Sequence, residues 1–161
     1  MIESASEFFV ATAGAAAALA GLIIVALSVS VDAIIRLPGM TSRAAAAIAL
    51  LVVATLISLA GLIPGQPEAA FGVEALVLGL AALAFSVQST VQMTRARGQF
   101  STASALVRGG LGVIPALLFA VGAVLVLADQ PAALPVLGIG MLCAIAVSVV
   151  TAWVVMIEIR R

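Results

Sequence analysis

The sequence predicts an all-α fold, an integral membrane bundle of five transmembrane helices with the N-terminus outside and the C-terminus cytoplasmic. Three observations carry this. The 161 residues are 65% hydrophobic and only 9% charged, against about 45–50% apolar and 25% charged in ordinary soluble domains. The apolar residues fall into five long runs, near 8–31, 44–63, 70–94, 106–128 and 132–157, each long enough for the roughly 30 Å hydrocarbon core. The basic residues, all arginine, are confined to alternate connections: Arg36 and Arg43, then Arg95, Arg97 and Arg108, then Arg160 and Arg161. By the positive-inside rule those segments are cytoplasmic, which places the N-terminus outside and demands an odd number of spans. The whole chain, 1–161, reads as one transmembrane domain.

Every run must be helical, because backbone groups in lipid have no water to bond and the runs lack the dyad alternation of barrel strands. Met1 to Glu7 contains Glu3 and Glu7 but no basic residue, unlike the positive opening of a signal peptide, so the first run is expected to remain as span one. Ser4-Ala5-Ser6-Glu7 has the form of a capping box ahead of Phe8. Pro38-Gly39 separates spans one and two, and Pro64-Gly65-Gln66-Pro67 and Asp129-Gln130-Pro131 are short turns. Pro115 and Pro135 fall in the early parts of spans four and five, where a missing amide is best tolerated; a kink is expected at Pro115. Trp153, with Glu158-Ile159-Arg160-Arg161 just beyond it, reads as an interfacial anchor.

Charge is strongly polarised by side. Seven arginines against Asp32 and Glu158 leave +5 on the cytoplasmic face, and Glu3, Glu7, Glu68, Glu74 and Asp129 give −5 outside. Topology alone accounts for the pattern; the functional alternative is that the outer carboxylates gather cations and the arginines hold anionic lipid headgroups.

The chemical inventory excludes much. With no histidine or lysine, there is no bis-histidine haem, Ser-His catalysis, histidine metal ligation or lysine nucleophile. The two aspartates, Asp32 and Asp129, are expected at opposite faces, roughly 30 Å apart, which rules out an intramembrane aspartyl pair. Cys143 lies alone in an apolar run and behaves as a small hydrophobe. Zero net charge argues against a nucleic-acid partner. No cofactor is implied, and the chain reads as no enzyme.

Three constellations remain. On span one, Gly14, Ala18, Gly21, Val25, Ser28 and Asp32 recur at three- and four-residue spacings, a small-residue face suited to helix packing inside the monomer or between subunits. Asp32 and Arg36 are four apart, the spacing of an ion pair on one helix surface; Asp32 pairing with Arg95 or Arg108 is the alternative. On span three, Glu74, Leu78, Ala81, Phe85, Gln88 and Gln92 lie within about 40° of one line at roughly 100° per residue. Arranged around a pore, that face would be acidic at the mouth, apolar in the middle and amide-lined within. Otherwise Glu74 snorkels to the interface, while Gln88 and Gln92 join Ser86, Ser89 and Thr90 in bonding neighbouring helices.

The Phe8-Phe9 entry into Gly14-Ala15-Ala16-Ala17-Ala18-Leu19-Ala20-Gly21-Leu22, the Leu37-Pro38-Gly39 turn and the closing Ala152-Trp153-Val154-Val155-Met156-Ile157-Glu158-Ile159-Arg160 resemble a family of small bacterial multi-spanning membrane proteins without an assigned role. The resemblance implies a multi-pass protein of the bacterial plasma membrane and adds no activity. The expected function is that of a non-enzymatic subunit or accessory of a membrane assembly, in contact with lipid and with a second copy or another membrane protein. The alternative is a homo-oligomeric cation or small-solute channel lined by the third helix.

Overall fold

The computed structural model describes residues 5–29, 40–95 and 102–159, with side chains at 5–29, 40–92 and 110–157. Five helices follow one another, α1 (Ser6–Ser28), α2 (Met40–Ala60), α3 (Glu68–Arg95), α4 (Thr102–Leu127) and α5 (Ala133–Ile159). All five are long and apolar enough to cross a membrane.

The helix ends depart from the hydropathy windows for local reasons. α1 begins at Ser6 with Ala5 as its N-cap and no side-chain cap bond; Ser4, on which the expected capping box depends, lies outside the described residues. α2 starts at Met40, so the polar turn Met40-Thr41-Ser42-Arg43 belongs to the helix. It stops at Ala60, where Leu62 N–H bonds Leu59 and Ile63 N–H bonds Ala60, tightening the chain into a turn whose Gly65 has φ +69°. α4 ends in a Schellman arrangement: Asp129 N–H bonds Val126, Gln130 N–H bonds Leu125, and Asp129 takes φ 52°. That is the left-handed position usually given to glycine. α4 runs unbroken through the fully buried Pro115.

Sequence-adjacent helices pack antiparallel, and α2 touches all four others. It is the most enclosed span, with 44% of its apolar window buried against 33% in each other span. α1 covers one side of α2 through Phe9, Ala13, Ala16, Ala20, Ile23 and Leu27. At the end bearing the carboxylates, Phe9 sits against Phe71, with ring centroids 5.9 Å apart, and over Gly61, where an added Cβ would meet its ring at 2.7 Å.

The closest approach joins α3 to α4. Gly72, Ala75, Gly79, Ala82, Ser86 and Ser89 recur at alternating steps of three and four, and all are buried. A seam of this kind lets two backbones come close enough for dispersion to hold them in lipid. At Gly79 an added Cβ would lie 2.9 Å from the Ala120 nitrogen and 3.1 Å from the Phe119 carbonyl carbon. Those are backbone atoms and have nowhere to go. Gly122 plays the same part against Leu137 of α5, whose nitrogen and side chain would lie 3.1 and 2.7 Å from the new atom.

Gly79→Leu is therefore expected to destabilise the bundle by at least about 1–3 kcal/mol, the cost of overpacking a tight core. Reversible unfolding in mixed detergent micelles measures it, and an unfolding midpoint matching wild type would show that the α3–α4 seam does not control stability.

Candidate functional site

α3 presents two faces. The seam looks inward. The line Glu74, Ala81, Phe85, Gln88 and Gln92 is exposed, with only Leu78 half-buried. The face picked out by its polar ends thus points away from its own bundle.

Glu74 is tied to the α2–α3 turn: Gln66 Nε2 donates to its Oε2 at 2.7 Å. The carboxamide oxygen of Gln66 is buried and accepts nothing among the described residues. Glu74 is therefore an exposed carboxylate anchored by a neighbouring amide at the end of the bundle that also carries Glu7, Glu68 and Asp129.

The interhelical hydrogen bonds are made by hydroxyls. Ser42 Oγ donates to Ser89 Oγ at 2.8 Å, and Ser89 Oγ donates to the Ser42 carbonyl at 3.2 Å, clamping the start of α2 to the end of α3. Ser148 Oγ donates to the Ala47 carbonyl at 2.9 Å, joining α5 to α2 in a fully buried position. Ser58 Oγ bonds Ala54 of its own helix and lies 3.6 Å from Met141 Sδ of α5. Of the groups expected to act as glue, Ser89 does so; Thr90 turns back on the Ser86 carbonyl of its own helix. Gln88 and Gln92 are exposed and, among the described residues, bond no neighbouring helix, which corrects that part of the expectation: their face is turned out of the bundle. Ser42, Ser58 and Ser148 were not singled out by the sequence. The available signal was Ser58 in register with Ala47, Leu51 and Ala54, steps of three and four on one helix face.

Where α2 begins and α3 ends, the two helices enclose a groove of about 390 Å³. The paired Ser42 and Ser89 belong to its lining, with Thr41, Gln88 and Gln92 supplying further polar groups and Ala45 and Phe85 apolar surface. Arg43, buried at 9% exposure and itself engaged, follows in the same turn of α2.

The small-residue face of α1 is placed opposite to the expected packing side. Gly14, Ala18, Gly21, Val25 and Ser28 are all exposed, and among the described residues nothing lies within 4 Å of a Cβ built on Gly14 or Gly21. Packing inside the monomer is thereby corrected. α1 lies at the margin of the bundle and turns its larger buried residues, Phe9, Ile23 and Leu27, to α2, which leaves the small face about 150° around the helix. Ser28 Oγ bonds the Ile24 carbonyl of its own helix. Asp32 and Arg36 lie outside the described residues. Trp153 is exposed on α5, and Cys143 is a half-buried free thiol.

No family model, curated protein or solved structure matches this chain.

The hydroxyl clamp makes a measurable claim. In a double-mutant cycle with Ser42→Ala and Ser89→Ala, unfolding free energies should show a coupling of about 0.6 kcal/mol, up to about 1.7, the range for interhelical hydrogen bonds in membranes. Strict additivity would mean that the pair contributes no mutual stabilisation.

Proposed function

We propose that this chain is a non-enzymatic subunit or accessory of a membrane assembly, joined to a second copy or to another membrane protein through the uncovered face of α1. One observation carries the reading: Gly14, Ala18 and Gly21 form a small-residue stripe against which none of the described residues packs. Glycine within a helix costs about 1 kcal/mol relative to alanine, and the compensating close approach is available only from another helix. The polarised charge and the resemblance to small bacterial multi-spanning proteins favour a bacterial plasma membrane, with the N-terminus outside and the arginine-bearing end cytoplasmic.

Gly14→Leu with Gly21→Leu should leave the unfolding midpoint unchanged and weaken association in the membrane about tenfold or more, measured by energy transfer between labelled copies and by co-purification in mild detergent. Consistent recovery of the wild-type protein alone and monomeric would count decisively against the subunit reading.

A second reading, a homo-oligomeric cation or small-solute channel, is favoured by the outward exposure of Glu74, Phe85, Gln88 and Gln92 on one face of α3. Copies arranged with this face inward would line a path with an acid, an apolar constriction and carboxamides. This reading predicts cation flux into liposomes containing the wild-type chain, reduced or altered in selectivity by Glu74→Gln; protein-free liposomes set the baseline. Flux at that baseline would remove it.

A further inference from the structure

The groove between the first turn of α2 and the last turns of α3 changes character with depth. Gln92 lies three residues, about 4.5 Å along the helix, before Arg95, where α3 ends. Gln88 lies about 6 Å further in and Phe85 about 4.5 Å beyond that; across the groove, Ala45 lies about 6 Å deeper than Thr41. The lining is therefore polar near the interface and apolar towards the hydrocarbon.

The polar groups differ in what they have left to give. Ser42 and Ser89 commit their hydroxyl protons to Ser89 Oγ and the Ser42 carbonyl. The side chains of Thr41, Gln88 and Gln92 have no partner among the described residues, and all three are exposed. Exposed at the edge of the hydrocarbon, these groups can donate to acceptors outside the chain, whether water or a lipid headgroup.

The sign of that acceptor follows from the surroundings. α2 opens at the groove, and its first-turn amides carry the positive end of the helix dipole. Arg43 lies in the same turn, and Arg95 and Arg108 fall at the end of α3 and the start of α4, at this same end of the antiparallel bundle. Glu7, Glu68, Glu74 and Asp129 belong to the opposite end.

We propose that this groove binds an anionic glycerophospholipid, its phosphodiester and glycerol oxygens accepting hydrogen bonds from Thr41, Gln88 and Gln92 and its acyl chain running over Ala45 and Phe85. A volume of about 390 Å³ falls within the roughly 300–1,000 Å³ of small-molecule sites. The shared chemistry is a phosphate oxygen; the apolar floor selects the lipid over free phosphate. The proposal stands independently of the subunit reading, since it uses α2 and α3 and not the open face of α1.

Native mass spectrometry of the purified chain released from nanodiscs of equal phosphatidylglycerol and phosphatidylcholine tests it. The wild type should retain phosphatidylglycerol in preference to phosphatidylcholine. Gln88→Leu with Gln92→Leu should lower that retention about tenfold, and Gln88→Glu, which keeps the shape but repels phosphate, should lower it too, each with an unchanged unfolding midpoint and oligomeric state. Inorganic phosphate and glycerol 3-phosphate, added at equal concentration, should not displace the lipid. Equal retention by wild type and variants would overturn the proposal, as would displacement by inorganic phosphate. A change of oligomeric state in the Gln variants would also overturn it, by assigning the groove to a second copy.

Discussion

Everything in this bundle depends on how closely its helices can approach. In lipid the space around a helix is as apolar as its neighbours, so burying leucine gains little, and association rests on dispersion and hydrogen bonds across short distances. The Gly79 crossing, where a single added carbon would meet the α4 backbone at 2.9 Å, is where that requirement is sharpest. With α3 and α4 so joined, and α4 held to α5 by Gly122 against Leu137, three helices form a wall against which α2 is enclosed. α1 is then added to the side of α2 through a few large residues and Phe9.

The same economy explains the hydroxyls. Ser148, buried completely, and Ser42 with Ser89 supply hydrogen bonds at points where bulkier polar groups would hold the helices apart. The longer polar side chains, Gln88 and Gln92, sit outside the seam because a carboxamide there would break the close approach. The serine hydroxyls thus work between the helices of one chain, and the carboxamides of Gln88 and Gln92 face whatever lies beyond it.

The helices were legible in the sequence because hydropathy and the alternation of arginine act on whole segments. What was not legible is which face of a helix packs. Gly14-Ala18-Gly21 and Gly72-Ala75-Gly79-Ala82 carry the same small-residue spacing, yet among the described residues the first is open and the second packs closely against α4. In a soluble protein polarity would separate them; in a membrane both the lipid-facing and helix-facing sides are apolar, and periodicity loses its discriminating power. The shared face of Glu74, Phe85, Gln88 and Gln92 follows from 100° per residue within one helix. That Thr41 and Ser42 would complete a groove with it depends on pairing residues 47 apart in the chain, which one helix's period does not encode. The polar start of α2 was hidden for a further reason: Met40 to Arg43 reads as loop by hydropathy, although a helix can extend past the hydrocarbon into the interface.

The two ends of the bundle are closed by different chemistry, and this difference locates its open surface. At the carboxylate end, Phe9, Phe71 and Gly61 interlock as rings over a glycine, a contact that excludes both water and lipid. Among the described residues at the other end, α2 and α3 are joined by the Ser42–Ser89 pair, two short side chains that hold the helices together but fill little volume. A hydrogen-bonded clamp of that size leaves space on its outer side, and the space is the groove, bordered by Thr41, Gln88 and Gln92, whose side chains bond none of the described residues. Replacing the serines with large apolar residues would fill the gap and force the helices apart. The clamp is therefore compatible with close helix packing and with an open polar recess beside it, a combination that the aromatic closure at the other end does not permit.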